Sequence, residues 1–287
     1  MTTISELAPG RSIELLKELH ILTRDGKLNQ DSRRKLKQVR HLAQFIEPLL
    51  ADAARDHLDV TLVDHGAGKS YLGFILYDHF LNEPASQARV YGVEVRQELV
   101  DKSTALAQRL GFERMTFVHA RAADAITSPL LPDRVDIVTA LHACDTATDD
   151  AIAFALAKNA RFVIVAPCCQ AEVASVLRAN KGAAANKSAG ASAAADDALS
   201  ELWRHPLHTR EFGSQITNVL RCLELEAHGY QVTVTELVGW EHSLKNELIV
   251  ARRLDQPNPK AARKLDQLLA TLELDSLRGR FNARPSA

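Results

Sequence analysis

A β-branched run, Val60 to Asp64, leads into Leu62-Val63-Asp64-His65-Gly66-Ala67-Gly68-Lys69-Ser70, and a helix-forming stretch follows. Glycines at such a junction let a ligand approach the backbone, and a helix start offers N–H groups without intrahelical partners. Three ligands compete for a loop of this kind. A Walker phosphate loop needs glycine five positions before Gly68, where Val63 stands, so Gly68-Lys69-Ser70 does not qualify. A nicotinamide-dinucleotide fingerprint needs glycine at position 71, where Tyr71 stands. The third is S-adenosylmethionine, held by an acidic-x-Gly-x-Gly-x-Gly type of loop. Asp64, Gly66 and Gly68 fit it, with Ser70 in place of the last glycine. The next β-branched run ends in Gly92-Val93-Glu94, and a carboxylate at a strand end can accept both hydroxyls of a ribose. Glu94 lies thirty residues after Asp64, more than the usual ~20, and the polar stretch Asn82 to Arg89 accounts for the excess.

Two further strand ends carry reactive side chains. One is Leu141-His142-Ala143-Cys144-Asp145-Thr146-Ala147-Thr148-Asp149, the other Ala166-Pro167-Cys168-Cys169-Gln170. In an open α/β sheet the ligand crevice lies outside the carboxyl ends of the strands, so these residues are expected to converge with Asp64 and Glu94. Methyl transfer needs an in-line nucleophile close to the methyl group, and a base only where the acceptor must lose a proton. His142 is the best-placed base; the alternative is a histidine that orients its own loop. Asp145 and Asp149 either orient His142 or bind the acceptor, unless Asp145 or Thr146 caps the following helix. A cysteine thiolate at either strand end could attack C6 of a pyrimidine; small thiols at strand ends are also ordinary packing residues. No metal site is expected, because adjacent cysteines chelate one ion poorly and CxxC pairs are absent.

The elements that must position these groups follow from periodicity. From residue 58, β-branched runs at Val60–Asp64, Val90–Val95, Met115–His119, Val135–Leu141 and Ala160–Ala166 alternate with helix-length stretches near 69–82, 97–110 and 147–158. That alternation predicts right-handed crossovers and a mostly parallel sheet covered on both faces. Gln231–Val238 and Asn246–Arg252 read as two late strands in a tight antiparallel hairpin at the edge, after a helix over Phe212–His228 that stops at Gly229. Upstream, Ser12 can cap a helix carrying Ile13, Leu16 and Leu19, and a second helix starts near Asp31 with Leu36, Val39, Ala43, Ile46 and Leu50 on one side. Residues 181–198 are Ala-, Ser- and Gly-rich and predict a mobile loop or a weakly helical insertion. The tail from Pro257 predicts one amphipathic helix (Leu265, Leu268, Leu269, Leu272) and then a fraying polar end over Arg278–Ala287. The expected division is an N-terminal helical extension (1–57), an α/β domain (58–253) and a C-terminal helical tail (254–287). Trp203 and Trp240 are expected on the substrate side of the sheet, as core anchors.

Composition narrows the partners. The 287 residues carry 35 Lys and Arg against 36 Asp and Glu, a net charge of −1, which excludes a uniformly basic nucleic-acid coat but not a local patch. Such a patch exists. Between Arg24 and Arg40 seven Lys/Arg face only Asp25 and Asp31, a local +5, with Arg33, Lys37 and Arg40 at helical spacing. Aromatic residues make up 5%, too few for a large stacking platform. Four cysteines, two of them adjacent, make no disulfide scaffold; no signal segment or long apolar run occurs, and a cytoplasmic location is expected.

The segments VDHGAGKSYLGFILYDHF, YGVEVRQELV, VTALHACDTATD, VAPCCQAEV, ITNVLRCLELEAHGY and EHSLKNELIVARR span residues 63–253 in order. Together they resemble class I S-adenosylmethionine-dependent methyltransferases with a Methyltransf_32-type domain; LHACDTATD with PCC is the specific part. The resemblance implies the Rossmann-like seven-stranded methyltransferase fold with the late hairpin as its last two strands, and S-adenosylmethionine as cofactor. The sequence departs from the family pattern at Ala67, Ala171, Asn218 and Ser243-Leu244. Carried onto this chain, Asp64, Gly66 and Gly68 are expected at the methionine end, Glu94 at the ribose, Ala123 and Asp124 near the adenine, and Leu141 also against the cofactor. His142, Asp145 and Cys169 are expected to line the acceptor pocket; Lys245 and Asn246, just before the last strand, either contact the acceptor or only shape a turn. RNA is the favoured acceptor, gripped through Arg33, Lys37 and Arg40; nothing points to DNA or a membrane. The alternatives are a protein acceptor, or a non-catalytic S-adenosylmethionine-binding module that assists RNA or ribosome assembly. Changing Cys144, Cys168 and Cys169 singly to Ser is expected to keep methyl transfer within about tenfold, whereas complete loss at one of them would identify a covalent nucleophile.

Overall fold

Asp64 and Glu94 end neighbouring strands of a single sheet. In the computed structural model the five β-branched runs become parallel strands β1 (Thr61–His65), β2 (Arg89–Glu94), β3 (Met115–His119), β4 (Ile137–Ala140) and β5 (Phe162–Val165). Two late strands, β6 (Tyr230–Glu236) and β7 (Glu247–Arg253), complete a seven-stranded sheet in the order β3-β2-β1-β4-β5-β7-β6, with β7 antiparallel to both β5 and β6. The order reverses between β1 and β4, and their carboxyl ends open a crevice there. The structure describes residues 12–23, 25–82, 86–141, 143, 145–167, 170–187, 198–236 and 247–282; within these, only the backbone is described at 31, 32, 34–40, 79, 122, 181–187 and 198–200.

The helices are α1 (Ile13–Glu18), α2 (Gln30–Ala54), α3 (Tyr71–Leu76, continued by a π turn over Tyr77–Leu81), α4 (Gln97–Arg109), α5 (Ala122–Ile126), α6 (Thr146–Ala157), α7 (Glu172–Lys187), α8 (Pro206–Ala227) and α9 (Pro259–Thr271). Ser12 caps α1 as expected, its Oγ accepting the Leu15 N–H at 3.1 Å. The buried pair of α1 is Leu15 and Leu16, while Ile13 faces outward. Ile46, Leu50 and Ala53 of α2 share one core with Leu62 of β1, Leu72 and Phe74 of α3, Ile137 of β4 and Phe162 of β5. The opposite face packs Val63, Val138 and Val163 against Ile152 and Phe154 of α6 and Leu225 of α8. A third cluster joins Leu177 of α7, Leu220 of α8, Leu265 and Leu269 of α9, and Phe281. Trp203 belongs to this cluster, its ring stacked on Phe212 at 5.2 Å, so it is an anchor of the helical layer.

Of four sequence expectations, two need correction: the start of α8 and the C-terminal tail. The low-complexity segment is helical in its first part, in line with the weakly helical alternative: α7 runs on to Lys187, and five of the seven residues 181–187 are Ala or Lys, good helix formers that extend a helix already nucleated at Glu172. Helix α8 starts at Pro206, well before Phe212, with the proline in its first turn where a missing N–H costs nothing. The strands β6 and β7 pair antiparallel at the sheet edge, as expected of the late hairpin; their connection, residues 237–246, with Trp240, Lys245 and Asn246, lies outside the described residues. The polar tail does not fray at Arg278. After a 3₁₀ turn (Asp275–Leu277), Arg278 pairs with Asp266 and Asp275, Arg280 with Asp150 and Glu172, and Phe281 is 2% exposed.

Two consequences can be measured. Phe281→Ala removes a ring from a filled cluster and is expected to lower the unfolding free energy by about 3 kcal/mol or more in urea. Between β1 and β4, the Thr139 hydroxyl donates to Asp64 Oδ1 at 2.7 Å, and burial pushes the Asp64 carboxyl from 3.8 to about 7, against that hydrogen bond and with a contribution from Glu94. The folded state thus holds this proton more tightly than the unfolded chain. Its stabilisation is complete below about pH 4 and is lost as pH rises through about 7, a span worth at most about 4 kcal/mol. Wild-type stability is therefore expected to fall over that range relative to Asp64→Asn; parallel pH profiles of the two would refute the assignment.

Candidate active site

The loop after β1 turns on two glycines with positive φ, Gly66 at +61° and Gly68 at +58°. A Cβ at Gly66 would sit 3.3 Å from Ala143, so the turn presses against the segment that follows β4. The loop is tied to β2 at two points. The Ala67 N–H donates to the Val93 carbonyl at 3.1 Å, and the Gly68 N–H donates to Glu94 Oε2 at 2.8 Å. Ser70, in the place of a third glycine, takes a left-handed conformation at φ +50° and is fully buried. A non-glycine residue there costs roughly 1–2 kcal/mol, so the packed surroundings hold the loop in this shape.

A cavity of about 680 Å³ opens above this loop, lined by His65, Gly66, Val93, Glu94, Val95, Ala120, Asp150 and neighbouring residues. Its size and position suit a nucleoside-bearing cofactor at the carboxyl edge of the sheet. Glu94 is 4% exposed, and its carboxylate also accepts the Arg96 N–H at 3.0 Å and Arg96 Nε at 2.9 Å. Burial alone would raise the Glu94 carboxyl, but the Arg96 hydrogen bonds and charge, with the Gly68 N–H, hold it below the usual range. Glu94 is therefore a fixed, ionised acceptor of the kind that two ribose hydroxyls require.

Of the residues expected at the cofactor, Gly66, Glu94 and Asp124 line this cavity together. Gly68 sits behind Glu94 as its hydrogen-bond donor. Asp64 stands behind the cavity wall, turned to Thr139. Ala123 is exposed beside Asp124 and Leu141 is buried at the end of β4; neither is part of the lining. On the acceptor side, His142, Cys144, Cys168 and Cys169 lie outside the described residues. Asp145 occupies the cap position of α6 without capping it. At φ 53° and ψ −123° it takes a strained backbone conformation, and its Oδ1 accepts the Ala171 N–H at 3.0 Å. That bond ties the loop after β4 to the loop after β5.

Beneath both loops lies a polar network that sequence reasoning missed. Arg221 of α8, fully buried, donates to both oxygens of Asp149 (2.6 and 2.9 Å), to the Asp145 carbonyl (2.9 Å) and to Asn218 Oδ1 (3.2 Å). Gln170 donates to Asn218 Oδ1 (2.7 Å) and accepts from Ser214 (2.8 Å), and Asn218 donates to Glu247 of β7 (2.7 Å). The signal was present in ITNVLRC, where a charged residue sits between apolar ones on a helix that must be covered; such a residue needs a buried partner. Asn218 at a position where the family pattern has Asp is thus a structural link. Its amide both donates and accepts here, which a carboxylate cannot do.

Among the described residues no cluster of His, Cys, Asp and Glu is arranged to hold a metal ion, and no helix is long and apolar enough to cross a membrane. The residues fit S-adenosylmethionine: a glycine turn against the backbone, an ionised carboxylate at the end of β2, and a cavity between them.

The sequence profile of a methyltransferase-domain family, Methyltransf_32, matches residues 34–176, which include the glycine loop, Glu94 and the strand-four and strand-five segments. No curated protein matches the sequence. Several solved structures are similar. Magnesium protoporphyrin IX methyltransferase from Synechocystis shares 16% identity at a TM-score of 0.43, over 84% of this chain and 93% of that one. The M. capricolum TrmK protein with S-adenosylhomocysteine shares 9% at 0.41, over 78% and 89%. The fibrillarin pre-rRNA processing protein of Methanococcus jannaschii shares 12% at 0.43, over 69% and 68%. At these values the likenesses extend to no substrate. With the matching domain, the strand order and the fitted site in place, the chain belongs to the Methyltransf_32-type family and is a class I, Rossmann-like S-adenosylmethionine-dependent methyltransferase.

Proposed function

We propose that the acceptor is RNA. The observation that carries this reading is the segregation of charge along α2. The C-terminal half is the anchor: Ile46, Leu50 and Ala53 are buried, and Asp52 pairs with Arg161 at 3.3 Å and Arg252 at 3.0 Å. The first half carries five Lys/Arg (33, 34, 35, 37 and 40) against Asp31, a net of +4 in a chain whose net charge is −1, and Arg33 is exposed. A basic helix held by its other end is suited to gripping a phosphate backbone, which positions a polynucleotide without reading its sequence.

When bound, the cofactor supplies an electrophilic methyl group on a sulfonium. The chain's own residues fix it and aim the acceptor. Glu94 holds the ribose, the turn at Gly66 and Gly68 lets the methionine end lie close to the backbone, and Asp124 stands at the adenine end. Asp145 holds the loops after β4 and β5 together through Ala171, and His142 takes the proton where the acceptor has one to lose.

The test uses tritiated S-adenosylmethionine and extract from cells lacking the protein, with the labelled product divided between nuclease and protease. Label released by nuclease alone is expected. Label released by protease alone would move the acceptor to protein. Reversing Arg33, Lys37 and Arg40 together to Glu is expected to weaken RNA binding by about tenfold or more and to flatten its salt dependence, leaving S-adenosylhomocysteine affinity unchanged.

A further inference from the structure

We infer that His65 is a cofactor-contacting residue whose Nε2 hydrogen-bonds the methionine moiety of bound S-adenosylmethionine. Side chains alternate along β1, so His65 shares a face with Val63, and Asp64 points the other way toward Thr139. That face is apolar. Val63 belongs to the core packed under α6, and the His65 ring lies 4.3 Å from the ring of Phe154. His65 is 2% exposed, and its Nε2 has no hydrogen-bond partner among the described residues. A valine or leucine would fill this place with no polar group to satisfy; a histidine brings a nitrogen whose pairing must come from elsewhere.

The ring lines the cavity beside Gly66, Ala147 and Asp150. The other end of that cavity is built by Glu94, Val95, Ala120 and Arg121, at the tips of β2 and β3, where the adenosine belongs. The polar part of the cofactor that remains for the glycine-turn end is its amino and carboxylate groups. Burial lowers the imidazole pKa to about 4, so the ring is uncharged near neutral pH. An uncharged ring does not repel a sulfonium, and its Nε2 still serves as donor or acceptor. Asp150, the nearby carboxylate on the same wall, is engaged by Arg280 at 3.3 Å.

The inference rests on the cofactor assignment, and the experiment separates the two. Wild-type protein is titrated with S-adenosylhomocysteine by calorimetry; no binding would overturn the cofactor assignment itself. His65→Phe fills the same space without a nitrogen and is expected to weaken S-adenosylhomocysteine binding about tenfold while the Tm of the protein alone stays the same or rises. His65→Gln, whose amide nitrogen reaches about as far as Nε2, is expected to recover most of the affinity. Binding by His65→Phe within about twofold of wild type would overturn the proposal. If that variant does not fold, the 15N resonance of His65 Nε2 in the wild-type protein decides. A shift on adding S-adenosylhomocysteine supports the contact, and an unmoved resonance overturns it.

Discussion

The loops after β4 and β5 depend on one buried ion pair. Arg221 and Asp149 are 0% and 5% exposed and meet through two parallel hydrogen bonds. An isolated charge in such a place costs several kcal/mol, so each partner makes the other tolerable, and the remaining guanidinium protons must also be placed. Others are placed on the Asp145 carbonyl and on Asn218, and this directs the network toward the carboxyl end of the sheet. Through Asp145 it holds the loop after β4. Through Asn218 and Gln170 it reaches the loop after β5, and through Glu247 the start of β7. Apolar packing is non-directional and could not fix the relative height of three loops as a chain of hydrogen bonds can.

On the cofactor side the constraint is conformational. Gly66 and Gly68 both hold positive φ, a Cβ at Gly66 would press on Ala143 at 3.3 Å, and Glu94 is bonded to Gly68 and Arg96. The groups that face the cavity are therefore set before anything enters it. Such preorganisation lowers the cost of binding, and the strain at Ser70 and Asp145 shows where the surrounding fold supplies it.

Much of this was legible in the sequence. The β-branched runs gave the strands to within a few residues because buried parallel strands are continuous apolar segments, and the glycine spacing excluded a Walker loop and disfavoured a nicotinamide dinucleotide. The reactive segments fell at strand ends because the period changes there. What was hidden depends on long-range partners. Arg221 and Asp149 are 72 residues apart, and Arg280 and Asp150 are 130 apart. No local pattern joins them, so Asp149 read as a second acid beside His142 and Arg278–Asn282 read as a frayed end. His65 was passed over because its neighbours Asp64 and Gly66 carry the motif. In the fold it is the polar residue on an apolar face.

The docked segment around Arg280 and Phe281 has a consequence for how the enzyme is made. Every strand of the sheet is complete by Arg253, yet Asp150, on the cavity wall, and Glu172, at the start of α7, meet their cation only when Arg280 arrives. Asn282 then closes the same surface by donating its N–H to the buried Glu224. Domains made on a ribosome fold from the N-terminal side first. The sheet and the glycine turn can therefore form while synthesis continues, and the cavity wall that carries Asp150 is braced only after all seven strands are made. A nascent chain holding all seven strands is thus a binding site without the brace that Arg280 supplies.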